Sequence, residues 1–139
     1  MMTLIDTGYE APEGVLTSRF LDDSIMKRLY YYPRALNAVL FATSRLPDTV
    51  RVEDVAEHFG MNSGAFSRFF AEKTGMTFSA IMKILRIERA LEQLERRECS
   101  VEFLASHSGY GSGCTFTRAF KEVLGETPSS YRRRMVGCW

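Results

Sequence analysis

From residue 18 to the low 130s, apolar side chains recur at helical spacing, and Gly, Pro or small polar residues cut the pattern into segments. Leu21, Ile25 and Leu29 follow i, i+4, i+8 spacing and predict one short amphipathic helix over residues 18–31, ended by Tyr30-Tyr31-Tyr32-Pro33. A second helix, over about 33–46, carries Leu36, Val39, Leu40 and Phe41 and begins at Pro33, where a missing N–H is harmless. Val52, Val55, Ala56 and Phe59 predict a third, which Gly60 ends by supplying a positive φ. Asn62 or Ser63 can cap a fourth over 63–74, with Phe66, Phe69 and Phe70 on its apolar stripe and Gly75 closing it. The strongest helix spans 77–97: Phe78, Ile81, Met82, Leu85, Ala90, Leu91 and Leu94 mark one face, charged residues cover much of the other, and Pro and Gly are absent throughout. Residues 1–14, with Gly8, Pro12, Gly14 and several acids, read as flexible.

The segments after 97 repeat those before 77. Val52, Glu53, Ala56, His58, Gly60, Ser63 and Gly64 return at an offset of 49 as Val101, Glu102, Ala105, His107, Gly109, Ser112 and Gly113. After one inserted residue, Phe66, Arg68, Phe70, Glu72, Gly75, Thr77 and Ser79 return at an offset of 50 as Phe116, Arg118, Phe120, Glu122, Gly125, Thr127 and Ser129. Fourteen identities in order make two copies of one unit, each reading helix, Gly-containing turn, helix. Thr127-Pro128 then offers a cap and a first helical residue for a short closing helix that ends in Tyr131-Arg132-Arg133-Arg134.

Composition narrows the chemistry. At 45% apolar and 25% charged, the 139 residues can build a core without metal or disulfide. Cys99, Cys114 and Cys138 are odd in number with no C-x-x-C spacing, so they encode neither a disulfide framework nor a zinc site. The only histidines, His58 and His107, hold equivalent repeat positions, which suits a shared structural role; no phosphate loop, zinc spacing or nucleophile motif accompanies them, so no enzyme and no cofactor is expected. The N-terminus lacks the basic and apolar regions of a signal peptide, and no window of about 18 apolar residues occurs, so a cytoplasmic chain with no membrane partner is expected. The net charge of +1 divides unevenly: residues 1–60 hold six Lys/Arg and nine Asp/Glu, whereas residues 61–139 hold twelve and eight. That asymmetry fits a chain whose latter part meets phosphate.

The second helix of each unit carries Ser67-Arg68 or Thr117-Arg118 off its aromatic stripe, beside a first turn of small residues. Small residues allow close approach to a groove, and Arg can bond guanine O6 and N7 together. The same arginines could instead be solvated, or pair with Glu72 and Glu122 one turn on. About 20 linker residues at 1.5 Å each give a rod of roughly 30 Å, close to the roughly 34 Å between major-groove faces on one side of B-DNA.

In VEDVAEHFGM, SRFFAEKTGMT, LRIERALEQL, SVEFLASHSGY and TFTRAFKEVLGETPSSYRRR, and in the distances between them, residues 34 to 134 resemble the DNA-binding domain of the AraC/XylS family along its whole length. The resemblance implies an all-α fold of about seven helices, with two helix-turn-helix subdomains (52–75 and 100–125) joined by a linker helix (77–97) inside a domain at 34–135. A helical extension at 1–33 and a tail at 136–139 flank it. It implies a transcription regulator of the bacterial nucleoid, usually an activator touching RNA polymerase, that reads successive major grooves of double-stranded DNA with helices 63–74 and 112–124. The base-facing candidates carried over are Ser63, Gly64, Ser67 and Arg68, then Gly113, Cys114, Thr117 and Arg118. Lys73, Arg86, Ser112 and Lys121 are the phosphate candidates. Gly64 and Gly113 stand where many members have longer side chains, and Arg51 stands where a Ser or Thr cap is common, at a cost of about 1 kcal/mol. Residues 15–33 offer a cover on the core, or a contact for a second copy or a protein partner. A rival reading stays open: an adaptor of the same fold that holds a transcription factor or RNA polymerase without reading DNA.

Overall fold

A computed structural model describes Leu16 and residues 18–46, 50–96 and 100–136. Residues 1–14, read above as flexible, lie outside the described residues, as do Cys99 and Cys138. The described residues form eight helices: α1 (Asp23–Tyr31), α2 (Pro33–Thr43), α3 (Val52–His58), α4 (Ser63–Thr74), α5 (Phe78–Arg96), α6 (Val101–His107), α7 (Gly113–Leu124) and α8 (Pro128–Val136). Seven of them, α2 to α8, meet the expected helix count, and α1 is the helical extension.

Three boundaries differ from the periodicity, each for a local reason. α1 starts at Asp23, not near residue 18, because the Ser18 hydroxyl accepts the amides of Phe20 (3.3 Å) and Leu21 (3.0 Å) and folds that stretch into a turn. Leu21 is buried all the same, so its spacing from Ile25 and Leu29 mimics a longer helix. α2 stops at Thr43, short of Leu46: the Ser44 hydroxyl donates to Phe41 O (2.8 Å), the carbonyl that the Arg45 amide would take in a continued helix, and Arg45 N–H turns to Ala42 O (3.2 Å) instead. α8 runs to Val136, beyond the arginines that were expected to end it.

The chain divides into two compact units. In the first, α1 packs on α2 and α4, and α3 on α4 and α2. Its core holds Leu29, Val39, Val55, Phe66, Phe70 and Ile81, all fully buried. Phe78 meets Phe70 edge-on at 5.3 Å and Phe66 at 5.5 Å. In the second, Ile87, Ala90, Leu91 and Leu94 of α5 enclose a core with Leu104, Ala105, Phe116, Phe120 and Tyr131. Tyr131 meets the ring of Phe120 at 6.0 Å and donates its hydroxyl to Glu95 at 2.9 Å, so the ring is buried while its polar tip is paired.

The two copies share their turns down to single hydrogen bonds. Gly60 and Gly109 take φ of 72° and 88°, conformations that side chains with a Cβ rarely adopt. Behind them Met61 N–H donates to Ala56 O at 2.9 Å, and Tyr110 N–H to Ala105 O at 2.8 Å. The copies diverge one residue later. Asn62 caps α4 and Ser112 caps α7, and both helices then run twelve residues to a glycine, so the extra residue of the second copy is Gly111, inside the turn. The repeated Ser-Gly pair had put the insertion after Gly113; structurally, Ser63 corresponds to Gly113 and Gly64 to Cys114.

The histidines also diverge. His58 stacks on Phe41 of α2 at 4.1 Å, whereas His107 stacks on Phe103 of its own helix at 4.0 Å. Both rings pack against phenylalanine, in line with the structural role expected of them.

Candidate nucleic-acid interface

α4 and α7 each bury one side and expose the other. Phe66, Phe70 and Thr74 face inward on α4; Phe116, Ala119 and Phe120 do so on α7. On the outer side of α4 stand Gly64, Ser67 and Arg68, all exposed, with Ser63 half-buried. On α7, Cys114, Arg118 and Lys121 are exposed and Gly113 and Thr117 half-buried. Thr115, which sequence reasoning passed over, is exposed in the same first turn of α7; its place one residue after Cys114 was the available signal.

The start of each helix is pinned. Asn62 Oδ1 accepts from Ala65 N–H at 2.7 Å. Ser112 Oγ accepts from Thr115 N–H at 3.2 Å and lies 3.1 Å from the Thr115 hydroxyl, so this phosphate candidate is also the α7 cap. The remaining first-turn N–H groups make each N-terminus receptive to an anion.

Among the described residues, neither Arg68 nor Arg118 forms an ion pair. The acid one turn beyond Arg118 is taken: Lys83 Nζ lies 2.5 Å from Glu122 Oε1. That hydrogen bond, with the Lys83 charge, holds the Glu122 carboxyl below the usual carboxylate range. The Arg118 charge also acts on Glu122, the smallest of the influences on that carboxyl, without closing an ion pair to it.

Two other phosphate candidates lie beside tyrosine rings. Lys73 lies in the last turn of α4, its ammonium 5.5 Å from the centre of the Tyr32 ring, in an open cleft shared with Lys27, Arg28, Tyr31 and Glu72. Arg86 is half-buried on α5, with its guanidinium 6.0 Å from the centre of the Tyr110 ring. Burial pushes the Tyr110 hydroxyl up, against the opposing charge of Arg86. Of the terminal arginines, Arg134 is bound to Glu126.

Among the described residues no group of His, Cys, Asp or Glu is placed to hold a metal ion, and no helix is long and apolar enough to cross a membrane.

A family model described as a helix-turn-helix domain matches residues 55–134. The chain is 32% identical over 108 residues to the RCS-specific HTH-type transcriptional activator RclR of Escherichia coli strain K12, covering 77% of this chain and 38% of RclR. It is 29% identical over 98 residues to the regulatory protein PocR of Salmonella typhimurium, covering 70% of this chain and 32% of PocR. The chain therefore spans about a third of the length of these relatives. With the TetD protein of transposon Tn10 from Escherichia coli, 29% identity over 100 residues covers 72% of both chains. Among solved structures, the DNA-binding domain of the transcriptional factor AdpA in complex with a target DNA superposes with a TM-score of 0.68 at 27% identity, over 76% of this chain and 98% of that one. The C-terminal domain of AraT, a response regulator from Geobacillus stearothermophilus, superposes with a TM-score of 0.70 at 27% identity, over 74% and 86%.

Proposed function

This chain belongs to the AraC-type helix-turn-helix family of transcription regulators and carries its DNA-binding domain, and from that membership we propose that it reads two successive major grooves of one duplex, α4 in one and α7 in the next. The observation that carries the proposal is the repetition of one outward face. Exposed Arg68 and Arg118, each preceded by a small hydroxyl residue and following a capped first turn, stand at the same place in both copies, and neither closes an ion pair among the described residues.

In this reading Ser63, Gly64, Ser67 and Arg68 face bases in one half-site, and Gly113, Cys114, Thr117 and Arg118 in the other. Ser112, the α7 N-terminus and Lys121 meet phosphate. Lys73 and Arg86, drawn toward Tyr32 and Tyr110, contribute less than the sequence suggests. Gly64 offers no side chain to the groove, so shape and bridging water carry more of the first half-site's specificity. The sign of action is activation, with RNA polymerase as the protein partner; RclR is itself described as a transcriptional activator.

The test is selection from a random duplex pool with the full chain, with Arg68→Ala and with Arg118→Ala, across a salt series. Two short motifs about one helical turn apart, each blurred by one substitution, are expected. Affinity is expected to fall by orders of magnitude as salt rises. Binding indifferent to both substitutions would sink two-groove reading and favour an adaptor that contacts protein.

A further inference from the structure

We propose that Glu102 is an additional reader of the second half-site, lending α7 a carboxylate that selects a cytosine amino group in the major groove. The inference rests on the proposed reading of DNA by α7.

A Cβ placed on Gly113 would lie 3.2 Å from Glu102 Oε2 and 3.4 Å from Val101 Cγ1. The carboxylate of α6 therefore fills the space that a side chain on the first residue of α7 would claim. It stands against the turn that also presents Cys114 and Thr115. Glu102 is exposed and enters no ion pair among the described residues.

The first copy is arranged otherwise. Ser63, not glycine, holds the position equivalent to Gly113, and Glu53, the counterpart of Glu102, lies 3.5 Å from Arg51 Nε. The second copy has Ser100 in place of Arg51; it caps α6 by accepting from Phe103 N–H at 3.0 Å and supplies no cation. One acid of the repeat thus has an arginine beside it, and its twin enters no ion pair among the described residues and stands beside a reading helix whose first residue has no side chain.

A carboxylate only accepts hydrogen bonds. In the major groove it is matched by the N4 amino group of cytosine and repelled by the acceptors of guanine. Glu102 supplies α7 with a readout that Gly113 cannot, and its charge also disfavours misplaced phosphate.

The experiment is the same duplex selection with the full chain, now with Glu102→Ala, Glu102→Gln and Gly113→Ala. The unaltered protein is expected to prefer cytosine at one position of the half-site that Arg118→Ala blurs. Glu102→Ala is expected to flatten that preference about ten-fold, and Glu102→Gln to move it toward adenine, which an amide pairs well. Gly113→Ala, by displacing the carboxylate, is expected to weaken the same preference while the acid remains. If both Glu102 variants keep the base preference and bind every sequence tighter by one common factor, Glu102 is only a surface charge and the proposal falls. If the unaltered protein enriches no motif and Arg118→Ala changes nothing, it is the reading of DNA by α7 that has failed.

Discussion

Lys83 Nζ, on the linker helix, lies 2.5 Å from Glu122 Oε1 on α7, a pair separated by 39 positions in sequence, and Glu122 takes this ion pair from Lys83 although Arg118 stands one turn away on its own helix. Of the two readings open for Arg118, the ion pair with Glu122 is the one not formed, and the acid is held by a residue from another helix.

The pair sets a pH dependence whose sign is determined. Lys83 lowers the pKa of Glu122, and Arg134, assisted by Ser130, lowers that of Glu126, each from an ordinary 4.5. A carboxyl group lowered in the folded state stabilises it above the unfolded value, and that contribution is lost as pH falls through the folded one. Thermal unfolding followed from neutral pH to about 3 should show a Tm falling in the acid limb, shallower in Glu122→Gln and Glu126→Gln. Glu122 is exposed and Glu126 only half-buried, so solvent screening keeps the change small. Variants with the unaltered slope would assign the acid limb to other groups.

The α3 N-terminus offers a gain of stability. Arg51 stands at the cap, and its guanidinium has no acceptor for the free helix amides; only the reverse bond is made, Arg51 N–H donating to Asp54 Oδ2 at 3.3 Å. Arg51→Ser should supply the missing acceptor and raise unfolding free energy by about 1 kcal/mol, read by urea denaturation. The exposed ion pair to Glu53 that it removes is worth little. No gain would mean that the Asp54 bond alone satisfies this turn.

Gly75 and Gly125 close α4 and α7 with φ of 91° and 82°, yet they differ in what surrounds them. A Cβ on Gly75 would meet Ile25 Cδ1 at 3.3 Å, whereas none of the neighbours of Gly125 comes within 4 Å of such an atom. Both alanine variants should lose about 1–2 kcal/mol to the left-handed conformation. Gly75→Ala should lose more, because Ile25 of α1 must give way. Equal losses would show that Ile25 yields without cost.

In the second unit, Phe120 is fully buried between Phe116, at 5.7 Å, and Tyr131. Phe120→Ala should cost about 3–5 kcal/mol in denaturant unfolding. A loss under 1 kcal/mol would mean that the core collapses freely around the gap.

The fold was legible wherever one stretch of chain could be compared with another. The repeat fixed α3, α4, α6 and α7 and their glycine turns, since those depend on residues close in sequence. It misplaced the insertion, because the Ser-Gly identities at 63–64 and 112–113 outweighed a register set in space by the caps Asn62 and Ser112. The start of α1 was hidden by Leu21, buried at helical spacing but held in a turn by Ser18. At the candidate interface, the exposure of Arg68 and Arg118 followed from periodicity. The placements of Lys83, Arg86 and Glu102 did not, because each depends on a neighbour brought near by tertiary packing.

One practical consequence concerns where the chain can be cut. Leu29 has no exposed surface, Ile25 rests over the end of α4, and Tyr30 Oη is bonded to Leu16 at both the amide (2.9 Å) and the carbonyl (3.0 Å). A fragment begun at Arg34, the start expected for the DNA-binding domain from the sequence, would strip this covering from α2 and α4 and open an oily seam to solvent. Such a fragment would tend to self-associate in the test tube, and clumping of that origin could be mistaken for a natural dimer.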